Sequence, residues 1–216
     1  MKIYHTSEIK NIALLGGAKS GKTTLAESMA FEGKAISRRG VVEDGNTVSD
    51  YREIEIERKG SVVSSLMYAE YNNKKINIID APGYSDYQGE VVAALNVAET
   101  AVVVINSQIG VEVGTEIAFR HTSAMAIPLM FAMNQLDHEK ADFEEQIKEL
   151  KDFFGEKITI VQYPVNQGTG FDCFIDLIMQ KMYKYPKGGG NPEISPIPDS
   201  EKEKAEQLRL ALVENA

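Results

Sequence analysis

The sequence predicts an α/β fold, a mostly parallel sheet with helices on both of its faces. Three observations carry that expectation: short apolar runs recur along the chain, stretches of helical periodicity separate them, and glycine or proline punctuates many of the joins. Residues 11–15 form the first run, stopped by Gly16-Gly17 as a buried parallel strand feeding a turn should be. Leu25, Ala26, Met29 and Ala30 then recur at helical spacing between Thr23 and Phe31, with Gly33 as a stop. Residues 33–60 hold four glycines, many charges and no clean period. They read as a long polar loop, a kind that in compact domains is usually functional, here as a switch or lid. Residues 62–71 and 74–80 read as two strands joined across Asn72-Asn73 in a hairpin.

Past Pro82-Gly83, helical spacing at Val91, Ala94, Leu95 and Ala98 leads into the apolar strand 101–105. Residues 116–125 read as a helix, 129–133 as a strand, and 141–154 as an amphipathic helix with Phe143, Ile147, Leu150 and Phe154 on one face. One more strand is expected at 158–161. From Gly168 the regularity fades. Residues 186–198, with four prolines and three consecutive glycines, read as a loop or linker before a charged helix over 200–215.

Composition narrows the class. With 43% hydrophobic and 25% charged residues the chain is an ordinary globular one, not disordered and not a coiled coil. A chain of 216 residues can bury roughly 70% of its surface, and it reads as one large domain or one domain with an insertion. The net charge of −9 argues against a broad grip on free nucleic acid. A single cysteine excludes an internal disulfide framework, and Cys173, beside Phe171, Phe174 and Ile175, reads as a buried filler. No apolar run reaches membrane-spanning length and the N-terminus lacks a signal-peptide core, so a cytoplasmic protein with no membrane partner is expected.

Gly16-Gly17-Ala18-Lys19-Ser20-Gly21-Lys22-Thr23 fits the phosphate-binding loop pattern G-x-x-x-x-G-K-[ST]. Glycines there let backbone N–H groups curl around phosphate oxygens at a helix N-terminus, Lys22 neutralises the β and γ phosphates, and the Thr23 hydroxyl reaches Mg²⁺. A chance match in a glycine-rich turn is the bland alternative, but the motif follows a strand and opens a helix. Asp80-Ala-Pro-Gly83 ends a second strand, where an Asp can hold Mg²⁺ and the glycine N–H can face the γ-phosphate. Alone, it is an ordinary Pro-Gly turn. Asn134-Gln-Leu-Asp137 ends a third, where the Asp137 carboxylate can accept from guanine and reject adenine. An Asx turn capping the next helix is the alternative there, and the order of the three motifs on three strand ends argues against it.

These residues together resemble the translational GTPases, and within them the elongation factor G family. The resemblance runs from Asn11 to the terminal helix, and Gly110-Val-Glu-Val-Gly-Thr115 shares it. It implies a P-loop nucleotide-binding fold with part of an inserted subdomain, a GTP-binding domain at 1–163 and the insertion with its terminal helix at 164–216. GTP or GDP would be held by Gly16, Gly17, Ala18, Lys19, Ser20, Gly21, Lys22, Thr23, Thr24, Asn134, Gln135 and Asp137. Mg²⁺ would be held by Thr23, Asp80 and Ser61. Lys22, Gly83 and Tyr84 stand at the catalytic positions. The ribosome is the implied partner of a longer factor that acts as a monomer, gating translocation or disassembly. The family's final base-contacting Ser-Ala loop does not follow, so the chain resembles the N-terminal piece of such a factor.

Four departures bear on mechanism. Tyr84 stands where the family has the His that places the attacking water, which implies slow hydrolysis, since such positioning contributes about 10²–10⁴-fold. Gln135 replaces the Lys whose stem packs on the base, and Lys19 an Asp of the loop. Lys59-Gly60-Ser61 stands for Arg-Gly-Ile-Thr, with Ser61 in place of the metal-binding Thr or merely at a solvated strand end. Two rival functions remain at this stage: a GTP-dependent ribosome-binding module with vestigial hydrolysis, and an ATP-using P-loop enzyme.

Overall fold

A computed structural model describes residues 3–49, 51–155, 158–187 and 189–215. Asp50 of the polar loop and Gly188 of the glycine run lie outside the described residues, as do the first two residues and Ala216. The chain forms two compact units, Met1–Asn134 and Gln135–Ala216.

The first unit is built on a five-stranded sheet of β1 (Ile9–Leu15), β2 (Ser65–Tyr71), β3 (Lys74–Asp80), β4 (Thr100–Asn106) and β5 (Leu129–Asn134), in the order β2-β3-β1-β4-β5. Only the edge pair β2–β3 is antiparallel; β3–β1, β1–β4 and β4–β5 run parallel. Period-two alternation sends Ile12 and Leu14 to one face and Ala13 and Leu15 to the other. On the first face Ala26 and Ala30 of α1 (Lys22–Glu32) pack with Leu14, Ile78, Met67 and Ala69. Each large apolar side chain so enclosed stabilises the unit by about 1.5–3 kcal/mol. Helices α3 (Gln88–Leu95) and α4 (Val113–Ala124) also pack on β1. Burying both faces explains why β1 and β4 are continuous apolar runs. The parallel order sends the C-terminal ends of β1, β4 and β5 to one edge, where the loops 16–21, 107–112 and the start of the next segment emerge.

The polar loop is not structureless. A 3-10 turn (Val42–Asp44) and a short helix α2 (Glu53–Arg58) interrupt it. Helix α2 carries Glu53 and Glu55 in its first turn and Arg58 in its last, matching the helix dipole, and Lys59 closes it in the left-handed conformation. Six residues are too few for an apolar period to betray.

The second unit holds α5 (Phe143–Phe154), a four-stranded antiparallel sheet of β6 (Gln162–Pro164), β7 (Cys173–Asp176), β8 (Lys181–Lys184) and β9 (Glu193–Pro196) in sequence order, and α6 (Asp199–Glu214). Two expectations are corrected here. The apolar run 158–161 is not a strand: Ile158 N–H donates to Gly155 in a turn, and the ladder begins only at Gln162. The segment 168–198, expected to lack regular structure and to end in a linker, instead supplies three strands. Cys173 is buried in β7. No helix among the described residues is long and apolar enough to cross a membrane.

Candidate functional site

The loop between β1 and α1 wraps through alternating backbone conformations, with positive φ at Gly16 (127°), Lys19 (62°) and Gly21 (96°). Successive residues of opposite twist point their N–H groups into one concavity, an anion-binding arrangement at a helix start. Gly16 is obligatory by space as well as by φ, because a Cβ would collide with the Val104 carbonyl. Lys19 and Thr24 are exposed, while Ser20 is fully buried and its carbonyl accepts from Asn134 Nδ2 at 2.8 Å.

Lys22 opens α1 and is buried. Its ammonium donates to the Gly17 carbonyl at 2.6 Å and the Gly16 carbonyl at 3.2 Å, within the loop itself. Burial pulls this amine below the ordinary lysine range, and the charges of Asp80 and Glu112 oppose that. The Thr23 hydroxyl donates to Asp80 Oδ2 at 2.6 Å and lies 3.3 Å from Ser61 Oγ. Strand β3 delivers Asp80, fully buried, while Ser61 arrives from the far end of the polar loop. The three expected metal residues thus converge, and a hard, all-oxygen set of two hydroxyls and a carboxylate fits Mg²⁺.

Gly83 lies directly over the phosphate loop. A Cβ there would sit 2.5 Å from Lys22 Nζ, 2.6 Å from Gly17 O and 2.7 Å from Ala18 N. Only glycine allows the Asp80–Gly83 turn to close this far. Tyr84, next in the chain, is about half exposed, and its ring lies near Gly60. Gln135 and Asp137 begin the second unit, where Gln135 takes a left-handed φ of 60° and its carbonyl accepts from His138 N–H at 3.1 Å. Asp137 is exposed on that turn.

Four carboxylates at the site went unread in the sequence. Glu27 of α1, fully buried, accepts from the N–H groups of Gly40 and Val48. Glu55, also buried, accepts from Val62 N at 2.9 Å and Val63 N at 3.2 Å, and Glu90 of α3 from Ser64 N at 2.8 Å. The polar loop is therefore pinned at both ends by side chains from three helices. Glu112, before α4, lies against Gly17, with its Cδ 2.6 Å from where a Cβ would stand. Burial raises its carboxyl above the ordinary range, countered by Lys22. Glu27 alone left a trace in the sequence, an acid between Ala26 and Ala30 on a face otherwise apolar.

Comparison with known proteins agrees with this geometry. The family described as the elongation factor Tu GTP binding domain matches residues 7–196. Elongation factor G of Mycoplasma pneumoniae is 33% identical over 206 residues, 95% of this chain and 30% of its own length. An elongation factor G-like protein of Mycobacterium tuberculosis is 34% identical over 206 residues, covering 95% of this chain and 28% of its own. A crystal structure of a Thermus thermophilus protein superposes with a TM-score of 0.89 at 31% identity, over 96% of this chain and 31% of that one. The chain thus spans under a third of the length of these relatives. Anion-cradling loop, converging oxygens and sequence kinship agree: the chain belongs to the elongation factor Tu GTP-binding domain family of translational GTPases.

Proposed function

We propose that this domain binds GTP or GDP with magnesium and hydrolyses GTP slowly, serving as the nucleotide switch of an elongation factor G-like protein on the ribosome. The observation that carries this reading is the convergence of Thr23, Asp80 and Ser61 beside the buried Lys22. In it, residues 16–24 cradle the phosphates, and Lys22 exchanges the Gly16 and Gly17 carbonyls for β and γ phosphate oxygens. Thr23, Asp80 and Ser61 would hold the metal, which would supply positive charge against the charge developing on the phosphates. Gly83 N–H faces the γ-phosphate, and Asn134, Gln135 and Asp137 select guanine. Because Ser61 and Gly83 belong to the two moving parts of the switch, loss of the γ-phosphate loosens both the 33–62 loop and the segment after Gly83. Residues 164–216 are read as part of an inserted subdomain. The longer factor would act as a cytoplasmic monomer, gating translocation or disassembly, with basic surfaces elsewhere offsetting this chain's acidity.

Titration with labelled GTP and ATP, with and without a chelator, tests the ligand. Micromolar or tighter GTP binding lost on chelation is expected, and an ATP preference overturns the guanine assignment of Asp137. The exposed Tyr84 supports a second reading, a GTP-dependent binding module in which hydrolysis is vestigial. Phosphate release with ribosomes separates the two. Tyr84→His is expected to raise the rate by about 10- to 100-fold; a fast native rate untouched by the substitution overturns both the slow-hydrolysis and the binding-only readings.

A further inference from the structure

We propose that Glu112 sets the nucleotide preference of the site, its carboxylate weakening GTP more than GDP by competing with the terminal phosphate for the charge of Lys22. The inference rests on the nucleotide-binding reading above and adds a residue that reading does not use. Its basis is geometric. The side chain of Glu112 folds over the phosphate loop until both carboxylate oxygens and Cδ crowd the position a Gly17 Cβ would fill, with Oε1 at 3.1 Å from it. Gly114 removes the next obstacle, since a Cβ there would stand 2.8 Å from the Gly17 Cα. Gly17 therefore makes room for the carboxylate, and Gly114 lets the start of α4 close on the backbone of a loop whose Gly16 and Gly17 carbonyls hold the Lys22 ammonium.

The two acids that act on Lys22 have different duties. Asp80 is bonded to Thr23 and belongs to the metal set. Glu112 is outside that set and stands instead at the N-cap of α4, where its own N–H donates to Thr115 Oγ1 at 3.4 Å and its side chain accepts from the Thr115 N–H in a capping box. In a site where Asp80 is engaged by a cation, Glu112 is the other acid whose charge acts on the lysine. A fixed negative charge beside a phosphate site repels an incoming anion in proportion to the anion's charge. GTP carries one more negative charge than GDP and places it on the phosphate nearest Gly83 and Lys22, so GTP loses more. Partial exposure of Glu112 and salt screening keep the effect modest.

The test measures dissociation constants of fluorescent GTP and GDP for the whole chain, as wild type, Glu112→Gln, Glu112→Asp and Glu116→Gln. Glu116 lies one turn further along, in the first turn of α4, and controls for a generic change of charge. Glu112→Gln is expected to tighten GTP by about fivefold and GDP by about twofold or less, shifting the ratio toward GTP. Glu112→Asp withdraws the charge from Gly17 and should shift the ratio the same way by a smaller factor, which keeps the idea testable if the glutamine variant folds poorly. A purely structural role changes the melting temperature of the ligand-free protein but moves both constants together. An unchanged ratio in the Glu112 variants, or an equal shift in Glu116→Gln, overturns the proposal while leaving nucleotide binding intact. A wild-type protein that binds neither nucleotide overturns the functional reading and this inference with it.

Discussion

The two units of this chain spend their buried polar groups differently. In Met1–Asn134 the buried set includes Lys22, Glu27, Glu55 and Asp80, charged side chains drawn to one edge of the sheet or to the loop beside it. In Gln135–Ala216 the buried polar residues among those described are Gln146 and Asp176, and Asp176 works locally. Its carboxylate accepts from Ile178 N at 2.9 Å, Met179 N at 2.8 Å and Gln162 Nε2 at 2.8 Å, closing the turn between β7 and β8. Burying a charge is costly unless it is compensated. The second unit compensates its acid with backbone N–H groups of an adjacent turn, a structural use. The first leaves its lysine on loop carbonyls and its aspartate on a threonine hydroxyl, arrangements that a ligand can take over.

That contrast can be broken most directly at Lys22. Lys22→Ala removes the group proposed to meet two phosphates and should weaken GTP binding by about 100-fold or more, with cooperative unfolding of the ligand-free chain preserved. Fluorescence titration and a thermal melt read the two arms. Equal binding by the variant would remove the site from this loop. Next in size is Asp176→Ala, which strands the N–H groups of Ile178 and Met179 and should cost about 2 kcal/mol in urea unfolding while nucleotide affinity stays within about twofold. A large loss of affinity there would erase the division of labour between the units.

Legibility followed the same division. Continuous apolar runs betrayed β1, β4 and β5 because strands covered on both faces need no polar positions. The phosphate loop was legible because its geometry demands glycine at Gly16 and Gly21, with lysine and threonine next. The second sheet escaped because its strands are three or four residues long, and Lys181-Met-Tyr-Lys184 alternates too briefly to show a period. The four acids at the site escaped for a different reason. Glu55, Glu90 and Glu112 accept from backbone N–H groups or lie on a glycine, partners that leave no signature in side-chain spacing, and Glu27 shows only as an acid on an apolar face.

The smallest expected effect concerns pH. Burial, first, and the charge of Asp172 raise the Cys173 thiol above its ordinary value, so the folded state favours the neutral form. The unfolded chain, with an ordinary thiol near pH 8.5, then holds fewer protons than the folded one as pH rises. The stabilisation is complete below that value and is lost upward through the folded pKa. Melting temperature should therefore decline above about pH 8.5, more gently in Cys173→Ala. An identical decline in the variant would assign the alkaline loss to other groups.

Glu27 sits one turn along α1 from Thr23, about 6 Å of helix rise. One end of that turn carries the Thr23 hydroxyl bonded to Asp80, and the other grips the Gly40 and Val48 backbone. A helical turn is stiff along its axis, so α1 acts as a push-rod. In the switch proposed above, a displacement of Thr23 would travel along this turn to the first half of the loop, while Ser61 would pull on the second half directly. One strut and one tether would then act on the two halves of the loop together, so that in the proposed switch they would move in step.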